Sequence, residues 1–434
     1  MAISLTTKLI SELGNSSGSI LPIWAKDVAQ DSATTLVYSK KGGKHDGKEK
    51  AIEEYGTGLV WVCGIPFVKK IFDKTIYKKA KINPDFDIRK FKQGAEDSID
   101  YALEKAKKFA VDQVGDLEKI KASKKLTQGL FIGKFIGATA ISMAALGALI
   151  HLKQKTTEKS IKQKLISEKI VDDKINVTVN NDEFFSSFKG NAQKKANNPS
   201  FKGLSNFMYN PVWNMSILDA AISGTRLTKA RKGERAEVLF KEASAVSFFY
   251  LLATPIQKGL EKISEKLFKI PIDLDYKVLA DNEFVDAVKN GSLKNAIKDF
   301  KATPKEGVKV LDYVWENENG VLVNMLKKSG VVPTTKKGKI SALKFMESGE
   351  VVDTIDKMDK FITKSSTETL EKFAKKAKGL KIGSIFANIG IAVAFLGIIQ
   401  PLLAIKGRKL KGGSNENPAV KQVENKVKQD LNLV

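Results

Sequence analysis

The residues in this sequence best placed to do chemistry are acids set inside apolar helices. Asp31 and Asp219 each stand in an apolar stretch that opens on a tryptophan, Trp24 and Trp213. An ionisable group in such a helix is costly unless it is paired or used. Each therefore reads either as a functional acid in a membrane or as half of an ion pair with a basic residue downstream: Lys40, Lys41, Arg226 or Lys229. Two D-x-D segments, Asp85-Phe86-Asp87 and Asp273-Leu274-Asp275, have the spacing of paired carboxylates that hold a divalent ion. Both follow a proline, Pro84 or Pro271, and both precede a helical stretch. Acids in a first helical turn complement the helix dipole without any metal, so no metal site is expected.

The other raw materials of catalysis are sparse. One cysteine, Cys63, excludes an intrachain disulfide, and two distant histidines, His45 and His151, leave no ordinary zinc set. There is no phosphate loop, no G-x-G-x-x-G and no nucleophile elbow. The sequence predicts a non-enzymatic protein that needs no cofactor.

Charge points to a different kind of partner. Among 434 residues, 73 are Lys or Arg against 49 Asp or Glu, for a net charge of +24, and only five of the basic residues are arginine. Arginine is the usual bidentate reader of bases and phosphates, whereas lysine is a diffuse point charge. This balance favours attraction to anionic lipid and argues against sequence-specific nucleic-acid binding.

Two apolar runs must position these charges. Residues 129–152 are broken only by Lys134, expected to snorkel toward headgroups, and residues 382–405 carry no formal charge. Each run of 24 residues makes a helix of about 36 Å, enough to cross a bilayer core of about 30 Å. Lysines flank both. Shorter apolar runs at 58–68 and 243–256 fit short spans or interfacial helices. Gly129, Gly133 and Gly137, and likewise Gly379, Gly383 and Ala387, recur every four residues and predict close helix packing, within the chain or in a homo-oligomer. The first 19 residues lack a sustained apolar core, so no cleavable signal peptide is expected and membrane insertion falls to the internal runs.

The chain also repeats itself. At an interval of 188, Asp31 pairs with Asp219, Lys41 with Lys229, Glu49 with Glu237, Glu54 with Glu242, Lys81 with Lys269 and Asp87 with Asp275. The long runs match at an interval of 250, as in Gly129-Leu130 with Gly379-Leu380, which locates an insertion within 280–378. The expected organisation is an N-terminal segment 1–19, unit 1 at 20–152, a Lys- and Asn-rich linker at 153–208, unit 2 at 209–405 and a polar tail at 406–434. The fold class is an all-α membrane protein built by tandem duplication. Two to four helices would be embedded, accompanied by amphipathic and charged helices. If only the long runs span, the units are inverted; if the short runs span too, they are parallel. The expected role is an integral membrane scaffold or tether, with a two-unit transporter or channel using Asp31 and Asp219 as the alternative.

Overall fold

A computed structural model describes residues 20–172, 209–302, 307–365, 369–412 and 414–431. The segment 1–19, most of the linker and the side chains of Trp24 and Trp213 lie outside the described residues. Within them the chain is helical, and an isolated bridge between Thr334 and Ile340 is the one β feature.

Helix α1 (Ile20–Lys41) turns into α2 (Asp46–Leu59), which continues through a π-helical turn (Val60–Gly64) into α3 (Ile65–Phe72), so that one rod runs from 46 to 80. After α4 (Ile99–Phe109) and α5 (Val114–Ala122), α6 (Lys124–Asp172) carries the first long apolar run and extends well into the expected linker. From residue 211 a similar order of elements follows. Helix α7 (Pro211–Lys229) precedes α8 (Arg235–Val246), a π-turn (Ser247–Leu252) and α9 (Ala253–Phe268). The segment 280–378 supplies α10 (Asn282–Lys289), α11 (Ser292–Ala302), α12 (Gly307–Glu316), α13 (Val321–Ser329) and α14 (Ser348–Ser365). The second long apolar run is α15 (Leu370–Ala392), a π-turn (Val393–Ile399) and α16 (Gln400–Gly412), and α17 (Pro418–Asp430) closes the chain.

Proline explains three of the π-turns. A proline inside a helix lacks an N–H, and its ring meets the carbonyl four residues back. The residues four before Pro66, Pro255 and Pro401 are Val62, Leu251 and Gly397, and each falls inside a π-turn. The wider turn takes up the misfit, so each rod continues instead of breaking.

The rods pair as two antiparallel hairpins. Along the first, Glu53 meets Lys153 at one end and Asp73 meets Lys134 at the other. Along the second, the Lys241 carbonyl accepts from Gln400, Gln257 accepts from Asn388, and Glu261 meets Lys381. The first helix of each unit packs on the long run of the other. Ala33 and Gln30 of α1 press on Gly397, while Tyr209 and the Lys229 carbonyl bracket α7 against Gln128 and Gln154 of α6. Both long apolar runs therefore point the same way, and an inverted relation between the units is excluded.

At the base of the hairpins sits a globular core. Residues 77–120 contribute Leu117 and Ile120, and the later helices contribute Phe284, Phe300, Trp315 and Phe361. The segment 280–378 thus shares one core with residues 77–120. Lys90 pairs with Asp97 at 2.5 Å inside this core, and Asp97 also accepts from the Met346 backbone.

Two expectations need correction. Lys134 does not reach outward; it pairs with Asp73 and lies 5.2 Å over the Tyr77 ring. The small-residue faces do not pack helices within the chain. A Cβ on Gly129, Gly133, Gly379 or Gly383 would meet nothing within 4 Å, and Ala387 is exposed. Gly137 alone is tightly apposed, against Phe72. Gly56 against Leu149 and Gly397 against α1 are the close approaches that the four-residue pattern missed.

Two backbone details recur at the interval of 188. Lys81 and Lys269 are the non-glycine residues with positive φ among those described, 54° and 60°, and each ends a rod of its hairpin. Asp87 and Asp275 each cap the following turn by accepting from the backbone two residues on. A left-handed lysine carries a Cβ clash that glycine avoids. Lys81→Gly and Lys269→Gly should therefore each stabilise the protein by about 0.5–1 kcal/mol, read as a raised unfolding midpoint. A loss at either site would show that the left-handed end is not present there in solution.

Candidate functional site

The most distinctive feature is a buried layer of charge where the far ends of the hairpins meet. It begins with helix periodicity. Asp46, Glu49, Lys50, Glu53, Glu54 and Thr57 recur at three- and four-residue spacing, so they line one face of α2, and that face is buried. The opposite face exposes Tyr55 and Leu59. Helix α8 does the same, with Lys241 buried and Leu239, Phe240 and Val246 outside. The usual amphipathic order is reversed: charge inside, apolar surface outside.

Each charge in the layer has a partner. Arg226, at the end of α7, donates to Glu242, to Glu54 at 3.4 Å and to Thr57 at 2.9 Å. Lys241 pairs with Glu54, and Lys153 with Glu53 at 3.2 Å. Arg408 grips both oxygens of Glu237, at 2.7 and 2.9 Å, and also meets Asp46. Tyr38 donates to Glu237 at 2.6 Å, and its ring lies under both Arg408 and Lys50. Arg231 joins Glu49 and Glu234, at 2.9 and 3.1 Å. Three of the five arginines thus occupy this layer, where a planar fork that satisfies two carboxylates is worth more than a point charge.

Electrostatics follow from this geometry. Burial alone would raise the Glu237 carboxyl, but Lys50 and Arg408 outweigh it and bring the group down to about 2. Burial also opposes ionised Glu53, yet Lys153 and Lys50 hold it well below the ordinary carboxylate range. Asp46 goes the other way. Its burial outweighs Arg408, whose fork is taken up by Glu237, and its carboxyl is raised.

The two acids singled out by sequence lie beside this layer, on the central helices. Asp31 is 7% exposed, and Asp219 accepts from Tyr250. They do not touch each other. Asp27, one turn before Asp31, feels the charge of Asp219, and Asp31 feels that of Asp27. Neither Asp27 nor Asp31 has a cation within ion-pair distance among the described residues. The expected ion pairs of these acids with Lys40, Lys41, Arg226 or Lys229 are not formed. The D-x-D segments serve as caps and structural partners: Asp87 holds Arg89, and Lys360 joins Asp273. No group of three or more metal-binding side chains occurs among the described residues.

Sequence reasoning paired Glu49 with Glu237 and Glu54 with Glu242 but did not gather them into a site. The available signal was the clustering of scarce arginines at 226, 231 and 408 in a lysine-rich chain.

Fold and site together define an all-helical protein with two helices long and apolar enough to cross a membrane and a buried ionic layer at their far ends. No family model matches the chain, and neither a curated protein nor a solved structure shows significant similarity to it.

Stability should track the ionisation of Glu237. Its folded-state carboxyl lies below its unfolded value, so its contribution is full above about pH 4.5 and is lost as pH falls toward 2. Glu237→Gln should cost about 3 kcal/mol at pH 7 and flatten that part of the profile. Thermal unfolding of both proteins from pH 7 to pH 3 measures it, and parallel profiles would refute it.

Proposed function

We propose that this chain is a non-enzymatic integral membrane protein that scaffolds or tethers a membrane, its two units derived from one ancestral unit. The supporting observation is the reversed distribution of polarity. A core helix of a water-soluble protein would be mostly buried, but the apolar windows of the two long helices are only 22% and 33% buried. Leu59 and Phe67 on the first rod, Ile136 and Leu152 on α6, Leu251 and Leu267 on the second rod, and Phe386 and Leu403 on the last face outward. A belt of this extent around a charged interior matches hydrocarbon outside and protein inside. Lysines at both ends of the belt suit anionic headgroups, and the outward glycine faces suit contact with a second copy. The interval of 188 shared by the left-handed lysines and the aspartate caps, with the proline-linked turns within one residue of it, supports the duplication.

The parallel rods give this reading a strict consequence. The Glu53–Lys153 pair marks the charged layer at one end of the rods, and the Asp73–Lys134 pair leads into the globular core at the other. A bundle that crosses a bilayer therefore places its two ends on opposite sides. Cysteine labelling tests this. Native Cys63 is exposed on the same stripe as Leu59 and Phe67. In intact membranes it should resist a membrane-impermeant maleimide and react with a permeant one. In a Cys63→Ser background, Lys159→Cys and Lys336→Cys should label from opposite sides. Labelling of both from one side would sink the crossing and leave the belt to be covered by further copies of the chain.

A second reading, a two-unit transporter or channel, is favoured by one observation: Asp27 and Asp31 are held on a central helix without a cation partner among the described residues. It predicts that Asp31→Asn and Asp219→Asn abolish ion flux in proteoliposomes while leaving the unfolding midpoint within a few degrees. Undiminished flux, or none in the parent, would remove it.

A further inference from the structure

The charged layer is closed on its outer side by the end of the chain. Helix α17 starts over the layer and runs out along the extension of α6. Its approach is close at the turn of each unit: a Cβ on Gly43 would stand 3.0 Å from Glu416, and one on Gly233 would stand 3.1 Å from the Ala419 backbone. Asn417 is buried there, caps α17 by accepting from Ala419, and donates to Glu234 of the layer at 2.7 Å. Arg408 reaches the Asn415 carbonyl at 3.3 Å as well as Glu237.

We propose that the segment 414–431 is a strap that opens and closes over the buried charged layer, controlling the access of water to it. Two features make the strap separable. Its own packing is slight: Val420 and Val427 meet Ile161 and Leu165 in a cluster detached from the main core. A 13-residue helix has little stability by itself in water, so it stays in place only while these few contacts hold. A cavity of about 120 Å³ lies under its first turn, bordered by His45, Asp46 and Glu424, so the seal is already incomplete on that side. The layer beneath cannot tolerate partial wetting without consequence, because its ion pairs gain strength from exclusion of water. This inference does not depend on the membrane reading.

Hydrogen exchange on the purified full-length chain tests it in two arms. Val420→Asp with Val427→Asp detaches the strap without altering any residue of the layer. Exchange in 46–57 and 235–246 should then rise at least tenfold, with the globular core at 270–300 and 351–362 unchanged. An unchanged rate in the layer overturns the proposal. The second arm covers a variant that unfolds. A Cβ on Gly233 lies 3.4 Å from that of Ala419, which suits a disulfide. Gly233→Cys with Ala419→Cys, in a Cys63→Ser background, should slow exchange in the layer when oxidised relative to its reduced form. Equal rates in the two forms would mean the strap never opens, and the proposal falls.

Discussion

The structure depends on the cost of taking charge out of water. A carboxylate or guanidinium buried alone costs several kcal/mol, and pairing recovers that cost only with good geometry and satisfied hydrogen bonds. Seven carboxylates, Asp46, Glu49, Glu53, Glu54, Glu234, Glu237 and Glu242, meet six cations, Lys50, Lys153, Arg226, Arg231, Lys241 and Arg408. A chain with a net charge of +24 thus keeps a slightly acidic interior. The lysine excess is displaced to the surface, where solvation is free. The pairs also join distant parts of the chain: Glu49 with Arg231, Glu54 with Arg226, Asp46 with Arg408. Separating the two hairpins would strand charges on both sides, so the ionic layer fixes how the hairpins meet.

Much of the fold was legible because it rests on length and periodicity. Runs of 24 apolar residues can only be long helices, and helices dominate the described chain. The change of interval marks 280–378 as an expected insertion, but its place in the fold was not legible. That segment supplies Phe284, Phe300 and Phe361 to a core that also holds Leu117, a contact no local pattern encodes. The glycine faces were legible as faces but not in what they meet, for a related reason. Spacing names a face of a helix but not what lies opposite, so Gly133 looks outward while Gly56 and Gly397, outside the pattern, accept the close approaches.

The site was harder to read. A charged stripe at helical spacing is normally the solvated face, and by that rule α2 turns Glu49, Glu53 and Glu54 to water. Here the rule is inverted, because the opposite faces are apolar and the long runs beside them are more apolar still. Arginine content was the better guide. Among so many lysines, arginine at 226, 231 and 408 marks places where a point charge will not do. The acids chosen from sequence, Asp31 and Asp219, lie beside the layer without joining its ion pairs, and Asp27, which feels the charge of Asp219, has no counterpart at the interval of 188 and so drew no notice.

The layer also bears on why both units belong to one chain. On the duplication reading, all of its carboxylates but Glu53 follow the repeat, Asp46 with Glu234 among them, and its cations do not. Glu49 corresponds to Glu237 and Glu54 to Glu242, but the position of Arg226 is Tyr38 in the first unit, and that of Lys241 is Glu53. Arg226 alone serves both Glu54 and Glu242, and Tyr38 instead supports Glu237 beside Arg408. A symmetric pair of first units would set Glu53 and Glu54 against their own copies with no arginine between them. Of the layer's groups, the first half of the chain supplies four carboxylates, Asp46, Glu49, Glu53 and Glu54, against one cation, Lys50, whereas residues 226–242 bring three of each, Glu234, Glu237 and Glu242 with Arg226, Arg231 and Lys241. Two copies of the first unit would therefore bury a large uncompensated negative charge. Lys153 and Arg408 offset most of it in this chain, and the tyrosine–arginine exchange at 38 and 226 is the smallest expression of that division between the halves.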